Sequence, residues 1–164
     1  MRRKDREVTS FGEMLRIVGA CDVCRLGLQD EGVPYIVPLN FGHEVREGKL
    51  ILYLHGAPQG KKVDLIRRNE GKVSFEMDTD HRLVEGDIPC AYSYLYQSVI
   101  GYGQIDFPED PDEKRHGLGL ILKQYTGSGA GASGMPHEAA MQEEVVARTC
   151  VMRLTVHEWT CKRH

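Results

Sequence analysis

Apolar and polar positions along this chain follow helical and alternating rhythms that divide it into short elements. Ser10-Phe-Gly-Glu13 is a capping-box pattern, and Met14, Leu15, Ile17 and Val18 supply one apolar face, so a helix is expected over about residues 10–19. Val23 to Leu28 alternates and stops at Gln29-Asp-Glu-Gly32, which predicts a strand and a hairpin turn. Tyr35 to Phe41 is the next strand. Its Pro38 cannot donate to a ladder, so this strand belongs at an edge or carries a bulge. Glu47-Gly48 turns the chain into a third strand, Leu50 to Leu54. A helix from about Lys61 to Arg68 follows, ended by Asn69-Glu-Gly71, and Val73 to Met77 alternates as a fourth strand.

Tyr92 to Phe107 is long and β-rich, with Gly101 and Gly103 predicting a bend at a barrel corner. Tyr92, Tyr94 and Tyr96 recur at period two. Packing in a core or an interface is the default reading for them, and a stacking platform for a ligand ring the sharper one. Pro111 opens a second substantial helix, the third in all, reaching about Tyr125. Thr126 to Gly134 reads as a flexible surface loop by composition, and Val145 to Glu158 as a final strand. About six strands with hairpin-like connections and inserted helices predict a mainly β single domain over 1–164, a small antiparallel barrel or roll. Neither a βαβα rhythm nor a glycine-rich dinucleotide fingerprint nor a Walker pattern is present.

Composition narrows the partners. The chain has 164 residues, 41% apolar and 27% charged, with formal net charge −3, which does not suit nucleic acid or an anionic membrane as the main partner. The basic start Met1 to Arg6 is not followed by an apolar run, and no stretch is long enough to span a bilayer, so a soluble, cytoplasmic protein is expected. Five cysteines make an odd count that does not suit a disulfide framework. Cys21-Asp-Val-Cys24 has no second pair at zinc spacing, and its order, helix then strand, is the reverse of a thioredoxin-like motif; structural thiols are expected, with metal or redox duty as the alternative. Asp78-Thr-Asp80-His81 reads as a polar turn after a strand rather than a metal site. His43, His81 and His116 read as loop or surface residues. Trp159 is either a core side chain or a cover for a ligand.

The densest chemistry lies between Leu52 and Asp64. His55-Gly56 ends a strand, and Gly60-Lys61-Lys62 opens a helix with two cations on its first turn. Cations there oppose the positive end of the helix dipole, an arrangement that suits a bound anion sharing the free N–H groups and the lysines. The plain alternative is a solvated loop whose charge is offset by Asp64.

At Pro34–Asn40, His55–Asp64 and Tyr96-Gln-Ser98-Val99-Ile-Gly101 the sequence resembles the flavin-binding split-barrel group, and within it the pyridoxamine 5'-phosphate oxidase-related branch that includes 5-nitroimidazole-resistance proteins. The resemblance runs over nearly the whole chain. It implies a six-stranded split β-barrel with inserted helices, a homodimer, and FMN at the subunit interface. It further implies that the isoalloxazine edge lies against Val37, Pro38, Leu39 and Asn40, with His55 and Gly56 flanking the flavin. The phosphate would lie at Gly60, Lys61 and Lys62, and Ser98 and Val99 would complete the pocket. His55 takes the position of a functional, candidate catalytic residue, as a proton donor or an orienting group. Gln97, Cys161 and the 126–134 loop depart from the family pattern. The implied activity is reduction of small, electron-poor acceptors such as 5-nitroimidazoles. A flavin-binding redox sensor without turnover is the alternative, as is a pyridoxamine phosphate oxidase-like enzyme, for which the sequence shows no second set of cations. The family shades into relatives that use deazaflavin or haem, and the paired lysines with the overall pattern favour FMN over those.

Overall fold

A computed structural model describes residues 3–127 and 141–164. Eight strands form one sheet: β1 (Glu7–Val8), β2 (Cys24–Asp30), β3 (Val33–Leu39), β4 (Phe41–Arg46), β5 (Lys49–Gly56), β6 (Lys72–Val84), β7 (Ser93–Asp106) and β8 (Cys150–Arg163). Four helices accompany them: α1 (Phe11–Ala20), α2 (Lys61–Arg68), α3 (Pro111–Thr126) and α4 (Glu143–Arg148). The strand order is β3-β2-β6-β7-β8-β5-β4, with β1 added on β8, and every pairing is antiparallel.

The two edges of this sheet are consecutive pieces of one extended run, broken at Asn40. Leu39 pairs with Cys24 at one end of the order, and Phe41 pairs with Leu54 at the other. Two residues of chain reach at most about 7 Å, so the sheet must curl until its edges meet at Asn40. No ladder joins β3 to β4. The result is a split barrel.

Its interior is filled by Leu26, Phe41, Leu52, Leu54, Phe75, Met77, Val99, Met152 and Leu154, with Ile17 and Val18 of α1 and Leu65 and Ile66 of α2 packed on the same core. Strand β5 is buried on both faces. Leu50, Leu52 and Leu54 face the interior, while Ile51 and Tyr53 join Ile121 and Val151 in a second cluster under α3. That is why Leu50 to Leu54 is uniformly apolar rather than alternating. Helix α3 approaches so closely that a Cβ on Gly42 would collide with its backbone at Leu120 and Ile121.

A polar brace fixes α3 to the sheet. The Tyr53 hydroxyl donates to Glu113 Oε1 at 2.6 Å and accepts from Arg46 Nη2 at 2.9 Å. Arg46 and Arg153 both reach Glu113 Oε1 at 3.0 Å, and His116 Nε2 lies 3.0 Å from Glu44 Oε2. These donors hold the Glu113 carboxyl down at about 2, while burial and the adjacent carboxylates push the Tyr53 hydroxyl upward.

Several sequence expectations need correction. There are eight strands along the described chain rather than about six, because β1 precedes the first expected strand, and β4 follows β3 after a single residue and reads as its continuation. Phe41 therefore belongs to β4. Val145 lies in α4 rather than in the final strand, which starts at Cys150. Asp78 to His81 sits inside β6, where the register shifts between Thr79 and Arg82, so it is a bulge and not a turn. His43 and His116 are partly buried in contacts with Gln124 and Glu44 rather than loose on the surface. Thr126 ends α3 and Gly127 caps it in the left-handed region; residues 128–134 of the expected loop lie outside the described residues. Pro38 is at an edge and in register, without a bulge.

Candidate functional site

Three segments converge at one end of the barrel: the inner face of β3, the end of β5 and the start of α2. Along β3, Tyr35, Val37 and Leu39 lean on the core, while Pro38 and Asn40 face solvent. Asn40 lies one residue beyond the Phe41–Leu54 pair, on the side of His55.

Gly60 begins α2 with φ +123°, in the region that glycine tolerates, and no side chain caps the helix start. The Gly60 carbonyl accepts from the N–H groups of Val63 and Asp64, so the first N–H groups of the helix stay open. The two lysines divide their work. Lys61 Nζ pairs with Asp30 at 2.7 Å and sits over the Tyr35 ring at 4.8 Å, which ties α2 to the β2–β3 hairpin. Asp30, not Asp64, supplies the countercharge. Lys62 forms no ion pair among the described residues, and its Nζ lies where a Cβ on Gly56 would be. A free ammonium, open N–H groups and a glycine that lets them approach the end of β5 make a fitting cradle for a phosphate monoester.

His55 faces a cleft of about 420 Å³ formed with Gly56, Ala57, Pro58, Glu144, Val145, Arg148 and Thr149. Partial burial, and then the nearby Lys62 charge, push its imidazole below the usual histidine range, which favours the neutral form. A neutral imidazole can accept a proton or donate one N–H, and it does not repel the adjacent ammonium.

Ser98 and Val99 are elsewhere in this chain. Their strand neighbours on β8 are Lys162 and Cys161, whereas His55 pairs with Val151, eleven residues away on β8. The separation along the strand is on the order of 30 Å. Val99 is fully buried in the core, while Ser98 shares the outer face of β7 with Ile100 and Tyr102, both about half exposed. The fold thus sets Asn40 beside the end of β5 with His55 and Gly56, places Lys62 against Gly56 and Lys61 against Tyr35 of β3, and leaves Ser98 and Val99 apart. Sequence reading missed Arg148 and Glu144 at the His55 cleft, because Arg148 falls within the expected strand and Glu144 just ahead of it, whereas helix α4 carries both there.

The cysteines are free: Cys21, Cys24 and Cys161 are buried, Cys150 is partly buried and Cys90 is exposed. Burial raises the Cys21 and Cys161 thiols to about 12 and pushes Cys24 up as well, which leaves them protonated and unreactive. Trp159 packs edge-on against Phe11 of α1 at 5.9 Å and against the core.

A curled antiparallel sheet split at Asn40, with helices packed on its core, defines a split-barrel protein. The family model described as pyridoxamine 5'-phosphate oxidase matches residues 11–163, and the chain belongs to that family. Among solved structures, a protein of Bacteroides thetaiotaomicron provisionally assigned to 5-nitroimidazole antibiotic resistance is 31% identical, with a TM-score of 0.78; the match covers 96% of this chain and 86% of that one. The FAD and heme binding protein of Mycobacterium smegmatis is 18% identical with a TM-score of 0.75, covering 96% and 73%. The flavocytochrome Anf3 of Azotobacter vinelandii is 18% identical with a TM-score of 0.74, covering 100% and 72%. These last two share the fold. No curated protein matches the chain. No helix among the described residues is long and apolar enough to cross a membrane.

Proposed function

We propose that this protein binds FMN and acts as an oxidoreductase on small, electron-poor acceptors, of which 5-nitroimidazoles are the class indicated by its similarity to the Bacteroides protein. The observation that carries the reading is the cradle: Lys62 Nζ against Gly56, beside His55 and the open start of α2. Bound flavin would supply the redox chemistry. The chain would supply the rest: Lys62 and the helix N–H groups would hold the phosphate, Val37 to Asn40 would present backbone groups and apolar surface to the ring system, and His55 would orient a substrate by hydrogen bonding or pass on a proton that it has first taken up from solvent.

The working unit of this proposal is a homodimer. In one chain Ser98 is far from the cradle, and the outer face of β3, β6 and β7 around it exposes Ile36, Ile100 and Tyr102. A second copy seated on that face would cover the apolar surface and bring its Ser98 to the first copy's flavin.

The direct test is the visible absorbance spectrum of the purified protein, followed by release and identification of the chromophore. FMN at about one per chain supports the reading. A colourless protein that also fails to take up added FMN overturns it. Turnover of a reduced nicotinamide with a nitroaromatic then separates an enzyme from a flavin-binding sensor.

A further inference from the structure

Beside the His55 cleft, and sharing Pro58, Arg148 and Thr149 with it, lies a second cleft of about 240 Å³. Three helices each send a cation into it: Arg67 from α2, Lys114 from α3 and Arg148 from α4. The floor is apolar, made by Phe107, Cys150 and Val151. The Arg67 guanidinium lies over the Phe107 ring, 5.3 Å from its centroid, which holds the fork in place. Lys114 Nζ donates to the Ala147 carbonyl at 2.9 Å, which fixes the ammonium at the rim with two N–H groups left over.

The missing partner is a carboxylate. Asp and Glu outnumber Lys and Arg in this chain, 24 to 21, and Arg3, Arg16, Arg25, Arg46, Arg68, Arg153 and Arg163 all have acidic partners. Arg67, Lys114 and Arg148 form no ion pair among the described residues, although Glu109 lines the same cleft and Glu144 the neighbouring one. Three like charges gathered from separate elements repel one another. An oxyanion between them removes that repulsion and can take both N–H groups of a guanidinium at once. Cys150, at the floor, lies opposite Gly56, so the cleft opens beside Lys62 and the cradle.

We propose that this second cleft is an oxyanion subsite, in which Arg67, Arg148 and Lys114 hold a phosphate or carboxylate group of a ligand that enters past His55. Its size suits one such group with a small attached body. The subsite stands on its own residues and does not depend on the flavin reading. Two ligands carry the right chemistry: a dinucleotide flavin, through its second phosphate, or a small acidic acceptor.

The test is titration of the protein with inorganic phosphate at low ionic strength, with and without saturating FMN, followed by thermal shift. It compares the wild type with Arg67→Gln/Arg148→Gln and with the charge-keeping Arg67→Lys/Arg148→Lys. We expect FMN-saturated wild type to bind phosphate, the Gln pair to bind about tenfold more weakly or worse, and the Lys pair to retain most of the affinity. Equal phosphate affinity in wild type and the Gln pair overturns the subsite. Should the Gln pair fail to fold, Lys114→Gln makes the same comparison. Should the protein take up no FMN, the flavin reading falls, and phosphate binding to the flavin-free Lys62→Gln variant still decides the subsite. A wild-type preference for FAD over FMN that the Gln pair loses assigns the oxyanion to the cofactor. Phosphate competition with a nitrobenzoate in turnover, with FMN and FAD bound alike, assigns it to the acceptor.

Discussion

Lys61 and Lys62 are neighbours in sequence and different in function. Lys61 is committed to Asp30 and Tyr35, whereas Lys62 points its ammonium at Gly56 with no acidic partner among the described residues. Lys62→Gln should therefore weaken FMN binding about tenfold or more, and Lys61→Gln by less than about threefold, measured by flavin fluorescence quenching. Equal losses would show that both ammoniums meet the phosphate. His55→Ala should bind FMN like the wild type and lose about tenfold or more in nitroaromatic turnover. Unchanged turnover would remove the proposed role for this imidazole. Sequence pattern located all three residues, since the strand end, the glycine and the helix start are local signals. It did not reveal which lysine is free, because Asp30 is thirty residues away and meets Lys61 through the β2–β3 hairpin.

Helix α3 shows how an element is held by one close approach and one polar brace. At Gly42 the helix backbone leaves no room for a methyl group. Gly42→Ala should lower stability by about 1–3 kcal/mol, read from the urea midpoint at unchanged slope. Glu113 gathers Tyr53, Arg46 and Arg153, so Glu113→Ala should cost about 1 kcal/mol or more by removing their shared acceptor and leaving them to Glu44 and Asp106 alone. The same group sets an acid limb. Its folded value of about 2 lies below the ordinary 4.5, so its contribution is complete above pH 4.5 and is lost as pH falls toward 2. His43 and His55 act in the same direction at higher pH: burial lowers their folded values below 6.5, so the unfolded chain takes up the protons first and stability declines as pH drops below about 6.5. Urea midpoints from pH 8 to 3 should be flat at the top and fall in two stages. A midpoint constant down to pH 5 would show that His43 and His55 protonate freely in the fold.

At the scale of the molecule, the outer face around Ile36, Ile100 and Tyr102 stays uncovered while Ser98 stands apart from the cradle. Both follow if two copies pack there. Ile100→Arg, at a half-exposed position outside the core, should leave the monomer folded, halve the mass seen by light scattering and lower FMN affinity with it. A variant that remains dimeric with full affinity would place the interface elsewhere.

The first three helices, the hairpin at Asp30 and the edge position of β3 all followed from sequence, because each rests on local periodicity, a turn residue or a proline within a few positions. The β3–β4 break, the early start assigned to the last strand and the mixed fate of the histidines did not. The break at Asn40 has no turn signature; it exists because the two halves of one run pair with opposite ends of a curled sheet. Arg67, Lys114 and Arg148 are ordinary surface cations in the sequence, more than eighty residues apart from first to last. Only the packing of three helices around the end of the barrel makes them one charged cleft, since electrostatic meaning depends on distance in space and not on spacing along the chain.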